Sequence, residues 1–527
     1  MNVFINRKRS VDASAAIVSI GLTAALGLAV IVFARWGPDW PAQEFRAWIA
    51  AHDGLSVWTN RWYGGTPLPG YSVLYPPLAG VIGAGPTGLL SAVALVWAAM
   101  GLAPARPARA VLFGLGSALV TCELLLVGQV PYLFGAVFGV LAVCALLGGR
   151  PWGVVAVFAA LCSLASPLPG AFLILCAPAL AVATSWRRAV PLLAAATGSV
   201  VSLVVGGADG PFPCQWQSLV SILAFCVAVA LAAWPGNRAL QVFALTYALA
   251  ALVIFFVPNP IGGNIERLGK LIAVPMVCCF VSLDGPWRRL HAVAATVLAL
   301  AWTQLPMTTV IGRGEPDPSQ YASYFAGLNR FLQTQRAADG RLEIPFTREH
   351  WETYWVAQHF PLARGWERQL DLGYNRTLYQ QVLSPADYRR WLDNNAVALV
   401  ALPTVPIGYG GRAEATLLQH PPGYLHVVWH DGDWTVWRVH GAPHIVTGAA
   451  QLADLGSASM TLHFTSAGTA LVHVSSSRLW VVDAGAACID AAPSRWLHVV
   501  APHAGTVRLA ARINTQLVTG ADGCPSG

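Results

Sequence analysis

Charge is what this sequence has least of. Asp, Glu, Lys and Arg make up 11% of its 527 residues, against 55% apolar residues and a mean hydropathy of +0.54. A soluble chain of that length needs more charge to cover its surface, so a wholly soluble globular protein is excluded. Lysine is almost absent: Lys8 and Lys270 are the only two. The arginines form no basic stripe with interleaved aromatics, which argues against nucleic acid as a partner. No Cys or His spacing matches a zinc site, so no metal ligands are assigned. No cofactor is expected, and a divalent metal is left open with no residues to support it. Seven cysteines (Cys122, Cys144, Cys162, Cys176, Cys226, Cys278 and Cys279) lie in apolar runs and read as small hydrophobes. Cys488 and Cys524 lie in the tail, where a disulfide is open to them but sequence alone does not pair them.

What the chain has instead is long apolar stretches, confined to residues 11 to 305; residues 306 to 527 read as ordinary globular sequence. A membrane span needs about 20 mostly apolar residues. Candidates run roughly 12–34, 78–102, 110–128, 131–148, 152–166, 169–185, 189–206, 218–234, 239–257, 268–284 and 290–306, about eleven in all. Orientation follows from the loop cations. With the N-terminus in the cytoplasm, inner loops hold Arg7, Lys8, Arg9, Arg106, Arg109, Arg150, Arg187, Arg188, Arg238, Arg288 and Arg289. Outer loops hold only Arg35, Arg46, Arg61, Arg267 and Lys270. The first apolar run is too long for a cleaved signal peptide and reads as a retained anchor. The expectation is a multi-pass bacterial plasma-membrane protein with a cytoplasmic N-terminus. It has a bundle over 1–306 with a re-entrant first outer loop, 36–77, and extracytoplasmic domains at 307–440 (α/β) and 441–527 (β-sandwich-like).

Polar residues gather on one side of this frame. The first outer loop carries Asp39, Glu44, Arg46, His52, Arg61 and Tyr75; Glu123 and Gln129 lie at the outer end of another span. Polar groups at such depth are expensive and usually line a cavity. Pro41 to His52 reads as a helix with Phe45, Trp48, Ile49 and His52 on one stripe and Glu44, Arg46 and Asp53 off it, which suits the headgroup layer. Asp39 opens that helix, as an N-cap or as a functional carboxylate. In the last outer loop, 257–275, Asn264 is placed to cap the next span. Arg267 and Lys270 share a helix face three residues apart. Two cations and free amides at a helix N-terminus make a phosphate site. The plainer alternative has Lys270 snorkelling and Arg267 paired with Glu266 or Glu123.

An Asp after the first span, an amphipathic outer loop, a Tyr75-Pro76-Pro77-Leu78 re-entry, a late Arg/Lys loop and an external C-terminal region resemble the GT-C superfamily. These are membrane glycosyltransferases that use polyprenyl-phosphate sugars. The resemblance covers roughly 10 to 306 and extends to the membrane family labelled 6-pyruvoyl-tetrahydropterin-synthase-related. GT-C members often carry paired acids in the first loop; here Asp39 precedes Trp40, so only the single-Asp form fits. The resemblance implies a polyprenyl-phosphate sugar donor and a glycan, lipid or protein acceptor. Asp39 would take the acceptor proton, and Asn264, Arg267 and Lys270 would hold the departing phosphate. Glu44, Arg46, His52, Arg61 and Tyr75 would orient sugar hydroxyls, with Glu123 and Gln129 closing the cavity. The rivals are a flippase or transporter for a lipid-linked sugar and a non-catalytic envelope scaffold.

In the C-terminal region, Leu342–Phe346 and Ala396–Leu402 read as strands, Thr347–Phe360 as a helix, and Ser384 to Asp387 as a capping box. Apolar runs flanking Asp431-Gly432 signal a hairpin, and the aromatic segment 350–379 reads as core or as a glycan surface. Beyond 445, five short alternating segments suggest a small sandwich. The orientation is testable with single cysteines in intact cells. One at Ser185 is expected to resist a membrane-impermeant thiol reagent and one at Ala413 to react; the reverse result overturns the frame.

Overall fold

The computed structural model describes residues 13–33, 37–205, 210–233, 236–280, 293–304, 317–335, 340–490, 494–514 and 524. The loop cations Arg7, Lys8, Arg9, Arg35, Arg288 and Arg289, and the boundary expected at 306/307, lie outside them. The chain divides into two compact units: Met1–Gln43, Tyr71–Ser202 and Pro211–Gly314; and Glu44–Gly70, Leu203–Gly210 and Glu315–Gly527.

The first unit is helical. It holds α1 (Ala13–Phe33), the start of α2 (Trp40–Asp53), α3 (Tyr75–Ile82), α4 (Ala84–Met100), α5 (Pro107–Val127), α6 (Val130–Leu147), α7 (Trp152–Ala165) and α8 (Pro167–Ala183). A short α9 (Trp186–Ala189) continues through a 3₁₀ segment into α10 (Thr197–Val205), whose end from Leu203 belongs to the second unit; α11 (Trp216–Ala232), α12 (Arg238–Phe256), α13 (Glu266–Phe280) and α14 (Val293–Gln304) follow. Among the described residues five helices are long and apolar enough to cross a bilayer: α1, α5, α6, the 186–205 stretch and α12. The pair α3–α4 makes a sixth if counted as one, while α7, α8, α11 and α14 are apolar but shorter. The protein is therefore a multi-pass membrane protein; the described residues contain five or six full-length spans, which does not confirm the expected count of about eleven.

Small residues set the close packing. The buried positions of α1 are Ala15, Ser19, Thr23 and Gly27, one every four residues, a stripe that lets backbones approach without a bulky side chain between them. A Cβ on Gly114 of α5 would fall 1.9 Å from Ser19 Oγ. The expected span at 78–102 is broken: α3 and α4 meet at 115°, and Gly83 between them has φ 90° and ψ 152°, which an L-residue rarely adopts.

In the second unit, most of α2 and the loop behind it are built into the C-terminal region. Phe45 stacks on Trp62 at 4.0 Å, and Trp62 Nε1 donates to the Thr353 carbonyl (2.9 Å). The Asn60 amide donates to the Ser457 carbonyl, and Trp58 packs edge-on against Trp480. Strands β1 (Trp58–Thr59) and β2 (Thr66–Pro67) pair within the loop. The aromatic-and-charged division expected for α2 does not hold, because Arg46 is only 3% exposed. One sheet, ordered β3-β4-β6-β5, is made of β3 (Arg341–Glu343), β4 (Val397–Pro403), β5 (Leu425–His430) and β6 (Trp434–Val439). The β5–β6 turn forms at Asp431-Gly432 as expected, with Asp431 Oδ1 accepting the Asp433 and Trp434 amides. Helices α15 (Ala322–Leu332), α16 (Glu352–Trp355), α17 (Arg368–Tyr374), α18 (Pro385–Asn394) and α19 (Arg412–Leu418) surround that sheet in sequence. Ser384 caps α18 through the Asp387 amide, whereas the helix expected over Thr347–Phe360 shrinks to α16. His350 has φ 64°, and the Glu352 carboxylate binds the Thr347 amide and hydroxyl, so the preceding residues turn instead. Farther on lie β7 (Val446–Gly448), β8 (Ala450–Leu455), β9 (Ser459–Phe464), β10 (Gly468–Ser475), β11 (Trp480–Ala484), β12 (Cys488–Ile489), β13 (Trp496–Ala501) and β14 (Gly505–Ala511). They form two four-stranded antiparallel sheets, β12-β13-β10-β7 and β11-β14-β9-β8, and Cys488 is bonded to Cys524. Burial alternates along β9, β13 and β14, as it must where a sheet hides one face.

Three buried carboxyls share one guanidinium here. Arg364 Nε and Nη2 clasp both oxygens of Asp371 (3.0 and 2.6 Å), while its Nη1 lies 3.6 Å from Glu343 and 3.8 Å from Glu414. Burial, and then the Glu414 carboxyl, pushes Glu343 well above the usual carboxylate range; burial raises Glu414 too, against the pull of Arg364. Both therefore hold protons more tightly folded than unfolded, so their stabilisation is present at low pH and lost as pH rises through the folded values. Glu343→Gln mimics the protonated acid. Its melting temperature is expected to fall less than the parent's between pH 5 and pH 8. An unchanged slope would move the effect to Glu352, raised to about 7 by burial, or to Glu367.

Candidate functional site

The first unit brings Asp39 to the end of α5 by backbone contact. Helix α5 stops at Gly128, a left-handed cap with φ 92° whose amide returns to the Leu124 and Leu125 carbonyls. A Cβ there would lie 2.5 Å from the Trp40 nitrogen and 3.0 Å from the Asp39 carbonyl carbon. A Cβ on Gly37 would meet the Leu126 oxygen at 2.3 Å and Val127 Cα at 2.5 Å. The 37–40 turn lies against α5 because neither glycine has a side chain. The Asp39 amide donates to the Val127 carbonyl (3.2 Å), and its own carbonyl accepts the Gln43 amide (3.4 Å), so Asp39 stands just ahead of α2. Trp40 beside it is fully buried.

Opposite Asp39 is the start of α13. A 3₁₀ turn, Gly262–Ile265, precedes the helix, so Asn264 sits inside that turn rather than capping α13 as expected. The amides nearby are engaged: Asn259 Oδ1 accepts those of Ile261 and Gly262, Pro213 O that of Gly263, and Ile261 O that of Asn264. Tyr247 locks the turn, its hydroxyl donating to Ile265 O (2.8 Å) and accepting the Gly269 amide (3.0 Å). Arg267 Nη2 comes within 3.8 Å of Asp39 Oδ2, the two side chains 23% and 27% exposed. Its guanidinium lies over the Tyr132 ring (5.8 Å), and the Tyr132 hydroxyl donates to the Arg267 carbonyl (3.3 Å). Lys270 Nζ is 3.3 Å from Glu266 Oε1; Glu266 also accepts from Ser218 Oγ and Trp302 Nε1. Glu123, 2% exposed, is within electrostatic reach of Lys270, Arg267 and Glu266, and its Oε2 has no hydrogen-bond partner. Gln129 Oε1 is buried and likewise unpartnered.

The other residues named from the sequence lie elsewhere. Tyr75 is fully buried and donates to the Gln43 carbonyl (3.3 Å). In the second unit, Arg46 is paired with Glu367 at 3.0 Å, and Arg61 Nη1 donates to the Ala357 and Gln358 carbonyls. His52 is exposed, stacked on Trp48, with Nδ1 2.8 Å from the Trp48 carbonyl; Glu44 is partly exposed. The sequence does not single out Tyr132, Ser218, Tyr247 or Trp302, and it marks Glu266 as an outer-face acid and a partner for Arg267. Tyr132 follows Pro131 at a helix start, where an aromatic reads as an interface residue, and Trp302 has no local signal at all. Among the described residues no group of three or more His, Cys, Asp or Glu side chains is placed to hold a metal ion.

No family model matches this sequence, and no curated protein does. Among solved structures, the arabinofuranosyltransferase AftD from Mycobacteria aligns over 84% of this chain with 16% identity and a TM-score of 0.43; the alignment covers 40% of AftD. ArnT from Cupriavidus metallidurans bound to undecaprenyl phosphate aligns over 82% of this chain and 99% of its own, with 12% identity and a TM-score of 0.39. The same ArnT in the apo state gives 14% identity and a TM-score of 0.21.

Gly128→Ala tests the backbone contact. Holding an L-residue at positive φ costs about 1–3 kcal/mol, and the new methyl meets Trp40. The purified variant is expected to melt several degrees below the parent. An equal melting temperature would mean that the 37–40 turn rests on something other than this contact.

Proposed function

We propose that the protein is a membrane glycosyltransferase that moves a sugar from a polyprenyl-phosphate donor to a glycan, lipid or protein acceptor outside the cell. The observation that carries this reading is the pairing of Asp39 with Arg267: a carboxylate and a guanidinium 3.8 Å apart, each about one quarter exposed. That distance is longer than a hydrogen bond, and a part-exposed pair is weakly held, so substrate groups can exchange into it. Asp39 takes the proton of an acceptor hydroxyl as the oxygen attacks the anomeric carbon. The bond from that carbon to the phosphate oxygen breaks, and Arg267 and Lys270 meet the growing phosphate charge. One displacement of this kind inverts the anomeric centre and needs no second carboxylate nucleophile. Phosphate binding draws on the two cations, since the amides around Asn264 are already engaged. Glu123, within electrostatic reach of both cations, supplies a buried acceptor oxygen, and Gln129 holds another.

Asp39→Asn keeps the shape of the side chain but removes the base. Transfer of sugar from a polyprenyl-phosphate donor is expected to fall about 100- to 10,000-fold while the protein still purifies folded. Arg267→Gln and Lys270→Gln are expected to weaken binding of polyprenyl phosphate titrated into the detergent-solubilised chain. The competing role is an ion pair that merely ties α13 to the α1–α2 turn. A charge swap, Asp39→Arg with Arg267→Asp, would restore activity under that role and leave it abolished under ours.

A further inference from the structure

Arginines of the second unit meet their surroundings in two ways. Arg46 faces Glu367, and Arg364 presents Nε and Nη2, one edge of its planar fork, to the two oxygens of Asp371. Arg341 and Arg495 form no ion pair among the described residues. Arg341 is fully buried; its Nη1 donates to Asn395 O (3.0 Å) and its Nη2 to His473 O, leaving Nε with no acceptor. The Arg495 guanidinium lies between the rings of Tyr374 (4.5 Å) and Trp496 (4.2 Å). Stacking satisfies the faces of the guanidinium, not its edge. Its Nε and Nη2, the same edge that Arg364 gives to Asp371, are both buried without a partner. The buried Ser475 hydroxyl, in register with Trp496 across β10 and β13, is also unpartnered.

The two cations are close enough to feel each other. Burial, and then Arg495, pulls Arg341 down to about 9, and burial pulls Arg495 down to about 10. Burial and both arginines also depress His473, which packs edge-on against Trp496. Buried donors left unmade are costly, and two buried like charges with no acid between them add repulsion. An anion removes both penalties at once.

We propose that Arg495 and Arg341 form a binding site for a small oxyanion, a carboxylate or phosphate group, held side-on by the Nε–Nη2 edge of Arg495. The Ser475 hydroxyl and the charge of Arg341 stand beside it. Arg495 is itself partly exposed, and Tyr374, 39% exposed, covers one face of its guanidinium and leaves the edge to the anion. The site is separate from the Asp39–Arg267 cluster and does not depend on the transferase reading.

Titrating the full chain in detergent with sodium phosphate and with sodium glucuronate, at fixed ionic strength, tests the proposal by calorimetry. At least one anion is expected to bind saturably, and R495Q to weaken that binding by about tenfold or more. Binding of phosphate alone assigns a phosphoryl group, and binding of glucuronate alone a carboxylate. If R495Q does not purify, R495K keeps the charge and loses the fork, so the same weakening is expected. Two results overturn the site: no saturable binding of either anion, or binding that survives R495Q and disappears in R267Q.

Discussion

Gly37 and Gly128 are where two backbones touch, and the placement of Asp39 rests on that contact. A Cβ on either would fall within 2.5 Å of the other chain segment, so no side chain fits. The consequence is chemical as well as steric. With its amide bonded to the end of α5 and its carbonyl opening α2, Asp39 has little backbone freedom, and its carboxylate is carried to Arg267 by geometry rather than by a strong ion pair. Arg267 is held as firmly, by Tyr132 beneath it and by the Tyr247-locked turn before α13. Rigid supports with a weak contact between them are what a site needs if substrate is to enter between the charged groups.

In the second unit some buried charges are held by several partners at once. Arg364 meets Asp371, Glu343, Glu414 and the Gly410 carbonyl; Arg61 meets two carbonyls of the 357–358 turn. Removing a partner from such a buried pair leaves an uncompensated charge, which costs about 3–5 kcal/mol. These clusters hold the second unit together, with the Asp371 oxygens and Arg61 Nη1 committed to it.

Helices were legible because apolar runs betray themselves, and the β5–β6 hairpin because Asp-Gly between two aromatic strands has one good conformation. Three features were not. The break at Gly83 lies inside a stretch apolar enough to read as one span, although Gly83, Gly85 and Pro86 are breakers there. The first outer loop was read as membrane-facing, yet Trp62 and Tyr63 bond to carbonyls 291 and 302 residues away, a separation at which local pattern says nothing. At the candidate site, Asp39, Arg267 and Lys270 were visible as charges in an apolar stretch. The aromatic supports Tyr132, Tyr247 and Trp302 were not, because in such a stretch an aromatic is the expected residue.

The difference between spent and available polar atoms narrows the chemistry. Arg46 Nη2 is bonded to Glu367, and a sugar hydroxyl that displaced that bond would leave a carboxylate buried in the second unit. Arg61 Nη1 already serves two carbonyls, and the Tyr75 hydroxyl the Gln43 carbonyl that ties α3 to α2. Glu123 and Gln129 face no such cost, since each already holds a buried oxygen without a donor. A hydroxyl-rich substrate supplies donors of that kind, so binding it would relieve a penalty the protein carries alone. In the proposed transferase, recognition would then fall to the buried acceptors and the Asp39–Arg267 pair, while Arg46 and Arg61 help hold their own unit in shape.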